Sequence, residues 1–119
     1  MLTLLALAAH LLAAAPVHAG RTGMGVGALD SNAIVVRIDG QESAFTLSGV
    51  QSGSKPATAF LKCLVAGHVL RVKGPSSGAT AMLLDDTSVA DHVNEFLQSK
   101  TSMDPCELGK AVYKGKGRS

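Results

Sequence analysis

The chain has 119 residues and a mass of 12.1 kDa, room for one domain and too little for an α/β-hydrolase, a kinase or a two-domain dinucleotide-binding enzyme. With 46% apolar and 17% charged residues it is not a disordered chain, and two cysteines exclude both a disulfide-dense mini-fold and an all-cysteine zinc site. A formal net charge of +2 is too mild to point to nucleic acid, and only 3% of the residues are aromatic.

The first nineteen residues carry no Lys, Arg, Asp or Glu. Residues 2–19 (LTLLALAAHLLAAAPVHA) would span roughly 27 Å as a helix, close to the thickness of a bilayer core. A secretory signal peptide explains the small residues Val17 and Ala19 before Gly20, but the basic n-region it needs is missing. A retained anchor explains the length and the Arg21 just beyond, with Pro16 bending or ending the helix near its exit. The expectation is therefore an apolar transmembrane anchor over 1–20, with a signal segment as the alternative. His10 reads as a neutral imidazole facing a partner helix, or as part of a cleaved peptide, because no second ligand lies one helical turn away.

Residues 21–32 are expected to be a Gly-rich linker; the glycines of GRTGMGVG do not fit G-x-G-x-x-G and no strand precedes them. The β-branched run 33–38 (AIVVRI) predicts a strand with Ile34, Val36 and Ile38 on one face. Asp39-Gly40 is a hairpin turn signal, and 43–50 (SAFTLSGV) returns as a strand with Phe45 and Leu47 inward. A loop over 51–56 leads to a helix over 57–66, with Phe60, Leu61 and Leu64 on one face and Gly67 as its stop. Strands over 68–73 and 79–84 flank the GPSSG turn.

A second helix is predicted over 90–99, capped by Ser88 and burying Val93, Phe96 and Leu97. A third runs from 105 to about 113, with Asp104 as cap, Pro105 in first position and Glu107 completing a capping box. The order is strand, strand, helix, strand, strand, helix, helix, with no internal repeat.

Few constellations carry chemistry. GPSSG around Ser76 formally matches the nucleophile elbow G-x-S-x-G, but a strand follows it where the elbow needs a helix. His68 and His92 have no partner at metal-ligand spacing. Cys63 and Cys106 fall on the first and last helices. They are either a disulfide stapling the C-terminal element down or two unrelated thiols, and no base adjoins either as a catalytic cysteine requires.

Four stretches, VVRIDG at 35–40, FTLSGV at 45–50, AFLKCLVAGHVLRVK at 59–73 and VNEFL at 93–97, occur in that order. Together, over roughly residues 33–98, they resemble the staphylococcal-nuclease-like (thermonuclease) family. The first resembles its strand leading into D-G-D-T, the second the R-L-x-G-I before D-A-P-E, the third its helix and following strand, the fourth its V-N-E helix. The resemblance implies a mainly β fold with α elements. The expected form is a small OB-type five-stranded barrel with two or three helices over 33–113, preceded by the N-terminal apolar helix.

The family's chemistry needs a calcium ion held by carboxylates and two arginines that stabilise the charge on phosphorus. Laid residue on residue, Asp39 keeps the first carboxylate of D-G-D-T and Gln41 replaces the second. The strand arginine becomes Thr46, the next metal-binding aspartate Gln51, and the glutamate closing D-A-P-E Ser54. The later arginine falls near Gly78, and no arginine occurs between Arg71 and Arg118. The resemblance thus implies a nuclease-shaped domain with no catalytic residue, metal or cofactor, in which Asp39 is a turn residue.

Lys110, Lys114, Lys116 and Arg118 concentrate positive charge near the C-terminus, with a basic tail expected over 114–119, whereas the rest of the chain is slightly acidic. They are candidate contacts for a protein partner or anionic lipid. Nucleic acid is disfavoured: Phe45, Phe60 and Phe96 sit at core-periodic positions, leaving only Tyr113 for base stacking. The expectation is a non-enzymatic accessory subunit of a multi-subunit membrane complex, with a mitochondrial inner-membrane respiratory assembly as the best match. Its partners would be other subunits and the bilayer. The alternative is a secreted binding module for protein or polyanion, cleaved at Ala19.

Overall fold

The computed structural model describes residues 20–118, with side chains to residue 112. The expected anchor or signal segment, with His10, lies outside the described residues. Five strands and three helices follow in the order β1 (Arg21–Asp30), β2 (Ala33–Ile38), β3 (Gln41–Thr46), α1 (Lys55–Val65), β4 (Val69–Lys73), β5 (Thr80–Met82), α2 (Val89–Gln98) and α3 (Pro105–Arg118). All strand pairs are antiparallel, in the spatial order β3-β2-β1-β4-β5. The ladder is not closed: one isolated parallel bridge, Leu47 to Ala79, joins the chain just beyond β3 to the residue just before β5.

The stretch expected to be a linker is the central strand. β1 pairs with β2 from Met24–Arg37 to Asp30–Ala33 and with β4 from Arg21–Val72 to Met24–Val69. Its glycines serve close packing. A Cβ on Gly25 would lie 2.0 Å from the Val65 carbonyl oxygen at the end of α1, and one on Gly23 would lie 2.6–2.7 Å from atoms of Val36, Arg37 and Ile38. The same contact is hydrogen-bonded: Gly25 N–H donates to His68 O at 2.8 Å and Gly67 N–H to Gly25 O at 2.9 Å. Register shifts between Gly25 and Gly27 and between Ala28 and Asp30 bulge the strand, and the intervening Val26 and Leu29 face solvent.

The remaining elements follow their apolar periods. Ile34 and Val36 of β2 and Phe45 of β3, with Leu47 beyond it, point into the core, met by Phe60, Leu61, Leu64 and Val65 of α1 and Leu70 and Val72 of β4. Each such buried side chain contributes about 1.5–3 kcal/mol. Asp39 and Gly40 both take positive φ, 52° and 80°, the geometry of the tight turn between β2 and β3. Ser54 caps α1 through Ala57 N–H at 3.2 Å, and Asp104 caps α3 through Glu107 N–H at 3.0 Å.

Two expectations at helices change. Leu97, predicted on the buried face of α2, is 41% exposed, because Val89, His92 and Val93 define the face that meets the core. The residues expected as a basic tail from 114 onward continue α3 to Arg118.

Replacing Gly25 with Ala is expected to destabilise the domain by about 3 kcal/mol, since the methyl group must displace backbone rather than a side-chain tip. Gly27→Ala, where nothing lies within 4 Å, is expected to be nearly neutral. Denaturant midpoints of the two variants check the contrast.

Candidate functional site

The residues that the family resemblance singled out do not share one place. Gln41 follows the Asp39-Gly40 turn and pairs with Ile38, whereas Thr46 pairs with Ala33 at the opposite end of the hairpin. Five residue steps along β3 separate the two ends, roughly 17 Å. Thr46, Gln51, Ser54 and Gly78 gather near the other end. Thr46 N–H donates to Ser76 O at 2.7 Å, and Thr46 O accepts from Ala79 N–H at 2.7 Å. A Cβ on Gly78 would lie 3.3 Å from Ser48 Oγ.

The carboxylate that does sit at this end is Asp30, which sequence reasoning passed over. It closes β1 and enters the Asp30-Ser31-Asn32 turn into β2, three consecutive turn-forming residues that were the available signal. Its Oδ1 accepts from Ser31 N–H at 2.6 Å and Gly53 N–H at 2.8 Å. Ser31, fully buried, donates its hydroxyl to Gln51 O at 2.7 Å. Asp30 and Ser31 thereby staple the β3–α1 loop onto the first turn of the sheet. The backbone donors, Gly53 first and Ser31 second, hold the Asp30 carboxyl below its ordinary value of 3.8.

A shallow groove of about 460 Å³ opens beside this staple, lined by Leu29, Asp30, Gly53, Ser54, Lys55, Thr58, Ala59 and Lys62. Its charges are two lysines and one committed carboxylate. A calcium ion wants several anionic oxygens. Here one Asp30 oxygen already accepts two backbone hydrogen bonds, and the neighbouring Thr46, Gln51 and Ser54 are neutral. These residues do not fit calcium. Among the described residues no group of three or more His, Cys, Asp or Glu side chains could hold a metal ion.

A second polar cluster lies where β5 passes into α2. The Thr87 hydroxyl donates to Asp85 Oδ1 at 2.6 Å, and His92 Nε2 lies 2.9 Å from the same hydroxyl oxygen. Nδ1 of His92 is 3.5 Å from Glu95 Oε1, and the ring is 8% exposed. Having one proton, already given to Asp85, the Thr87 hydroxyl can only accept from His92. That is the reverse of the arrangement in which histidine activates a nucleophile. The chain pins the 85–87 turn to α2, as Asn94 pins Gly49 O at 3.1 Å. His68 is elsewhere, its Nδ1 donating to Leu64 O at 2.7 Å at the end of α1. Ser76 lies in the β4–β5 turn, not between a strand and a helix.

Cys63 and Cys106 are joined in a disulfide across 43 residues, with Cα atoms 5.1 Å apart. Lys110 lies exposed on α3, 3.5 Å from Glu107. Lys114, Lys116 and Arg118 fall on the last turns of that helix, beyond the described side chains.

No protein-family model, curated protein or solved structure matches this chain.

Because folding lowers the Asp30 pKa, the unfolded state binds the proton more readily. The stabilisation from this carboxylate is complete above its unfolded value and is lost as pH falls through its folded one. Stability of the wild type is expected to decline from about pH 4 downward more steeply than that of Asp30→Asn. Urea unfolding of both proteins across that range checks it; parallel profiles would remove Asp30 from the account.

Proposed function

We propose that this chain is a non-enzymatic accessory subunit: a nuclease-like OB-type barrel that has lost its catalytic groups, held at a membrane by its N-terminal apolar segment and docked on other protein subunits. The supporting observation is the donor inventory at the Asp30 end of the sheet. Thr46, Gln51, Ser54 and Gly78 offer neutral groups or none, and Asp30 is occupied as a structural acceptor. Phosphodiester hydrolysis requires gathered anions for a cation and guanidinium groups for the developing charge. An assembly role needs only a stable surface.

The OB-type reading is supported by the strand order β3-β2-β1-β4-β5 with a helix between β3 and β4, and by the seam between the outer strands. There Ser48 N–H donates to Ala79 O at 3.0 Å and Ala79 N–H to Thr46 O at 2.7 Å, a parallel contact one bridge long. The membrane-anchored reading gains a geometric consequence from β1. With strand structure beginning at Arg21, no flexible spacer follows the apolar segment, so the barrel would stand directly at the bilayer surface. A mitochondrial inner-membrane respiratory complex is the assembly we favour.

The disulfide favours a second reading strongly enough to keep it. Such bonds persist in oxidising compartments, which a secreted module cleaved after Ala19 would enter; it would then bind protein or polyanion through the basic end of α3. N-terminal sequencing of the mature protein separates the two, a start at Gly20 favouring secretion.

Carbonate extraction is expected to leave the native chain in the membrane fraction, and native gels to show it migrating in a large assembly; release as a soluble monomer would count against the proposal. In a nuclease assay, no calcium-dependent cleavage of single-stranded DNA or RNA above background is expected. Cleavage abolished by chelator would overturn the loss of catalysis.

A further inference from the structure

Besides its covalent bond, helix α3 is held to the domain by packing against a single element. It packs against α1 and touches other elements only glancingly. Of its described side chains only Leu108 and Val112 reach the apolar core, both half-buried. Its closest approach is at Gly109, where a Cβ would lie 2.5 Å from Phe60 O, so the contact there is bare backbone. Three glycines, 109, 115 and 117, among fourteen residues make it a weak helix former on its own. The segment 99–104 leading to it is exposed throughout. Beneath it lie Phe60 and Phe96, stacked with ring centroids 4.7 Å apart, and an apolar groove of about 320 Å³ bounded by Leu108 and Val112.

We propose that the Cys63–Cys106 disulfide is a redox latch: two-electron reduction by a dithiol frees α3 and uncovers Phe60 and Phe96 while the sheet stays folded. The disulfide converts docking of α3 into a local event at high effective concentration. Once it opens, a glycine-rich helix with two half-buried apolar residues must hold its place unaided. Both cysteines are half-buried, within reach of a small thiol. A thiolate of the dithiol attacks Cys63 Sγ, the Sγ–Sγ bond breaks, and Cys106 leaves as a thiolate in the first turn of α3, at the positive end of the helix dipole. The second thiol of the reductant then displaces Cys63 from the mixed disulfide. The protein gains two electrons and two protons, and the dithiol becomes a cyclic disulfide.

The fully buried apolar side chains run from Ile34 to Val93 with none from α3, and the Gly25 contact is made with Val65, Gly67 and His68, so the sheet is expected to stay folded when the latch opens. This inference is independent of whether the chain is anchored or secreted.

Hydrogen exchange of the full chain, oxidised and then reduced with dithiothreitol, tests the latch. Amides of 105–112 are expected to lose protection by about tenfold or more, while those of β1, β2 and β4 change by less than about twofold. Retained protection in 105–112 overturns the proposal, and so does a parallel loss in all elements, which would make the bond a staple of the whole domain. Cys106→Ala gives a second readout without reductant. Cys63 is expected to react with iodoacetamide within about tenfold of its rate in denaturant, with the strands still protected; a slower reaction means α3 stays docked and overturns the proposal.

Discussion

The architecture depends on how closely α1 can lie against β1. With no side chain at Gly25, the end of the helix reaches the strand backbone itself, and the two exchange hydrogen bonds through Gly67 and His68. That contact sets where α1 leaves off and β4 begins, and β4 then pairs along the first half of β1. Side-chain packing fills the rest: Ile34, Val36, Leu61, Leu64, Leu70 and Val72 occupy the space that this approach defines. A small domain with few aromatic residues gains from such economy of spacing, since shorter distances between elements let Val, Leu and Ala fill the interior.

The polar groups follow one pattern: they fasten loops to the sheet. Asp30 and Ser31 secure the β3–α1 loop, Thr87 and His92 secure the turn before α2, and Asn94 reaches the Gly49 carbonyl. Asp30 is instructive because a carboxylate at the end of a strand, beside a groove, could have been read as a metal ligand. Its backbone donors show it acting as an acceptor that closes a loop, which keeps it ionised without any cation.

Periodicity made most elements legible. β2, β3, α1, β4 and α2 each carry an apolar repeat matching their backbone geometry, and the capping residues Ser54, Ser88 and Asp104 mark helix starts by local hydrogen bonding. β1 was illegible for a corresponding reason. Three alternating glycines in ten residues leave one face of the strand without side chains from which a pattern could be read, and glycine-rich segments more often connect than pair. The register puts Asp39 and Gln41 at the hairpin end away from Thr46, and Asp30 lies beside the Gln51–Gly53 loop.

By itself the sequence determined the local events: where helices begin, which faces turn inward, and which residues can take positive φ at the β2–β3 turn. These depend on neighbours a few positions apart. Only the tertiary structure decided that a glycine-rich stretch is the central strand, that Asp30 and the Gln51–Gly53 loop meet across more than twenty residues, and that Cys63 and Cys106 bond. Each is a contact between segments distant in the chain, set by which surfaces can approach closely, and a missing Cβ registers only when the opposing backbone is in place.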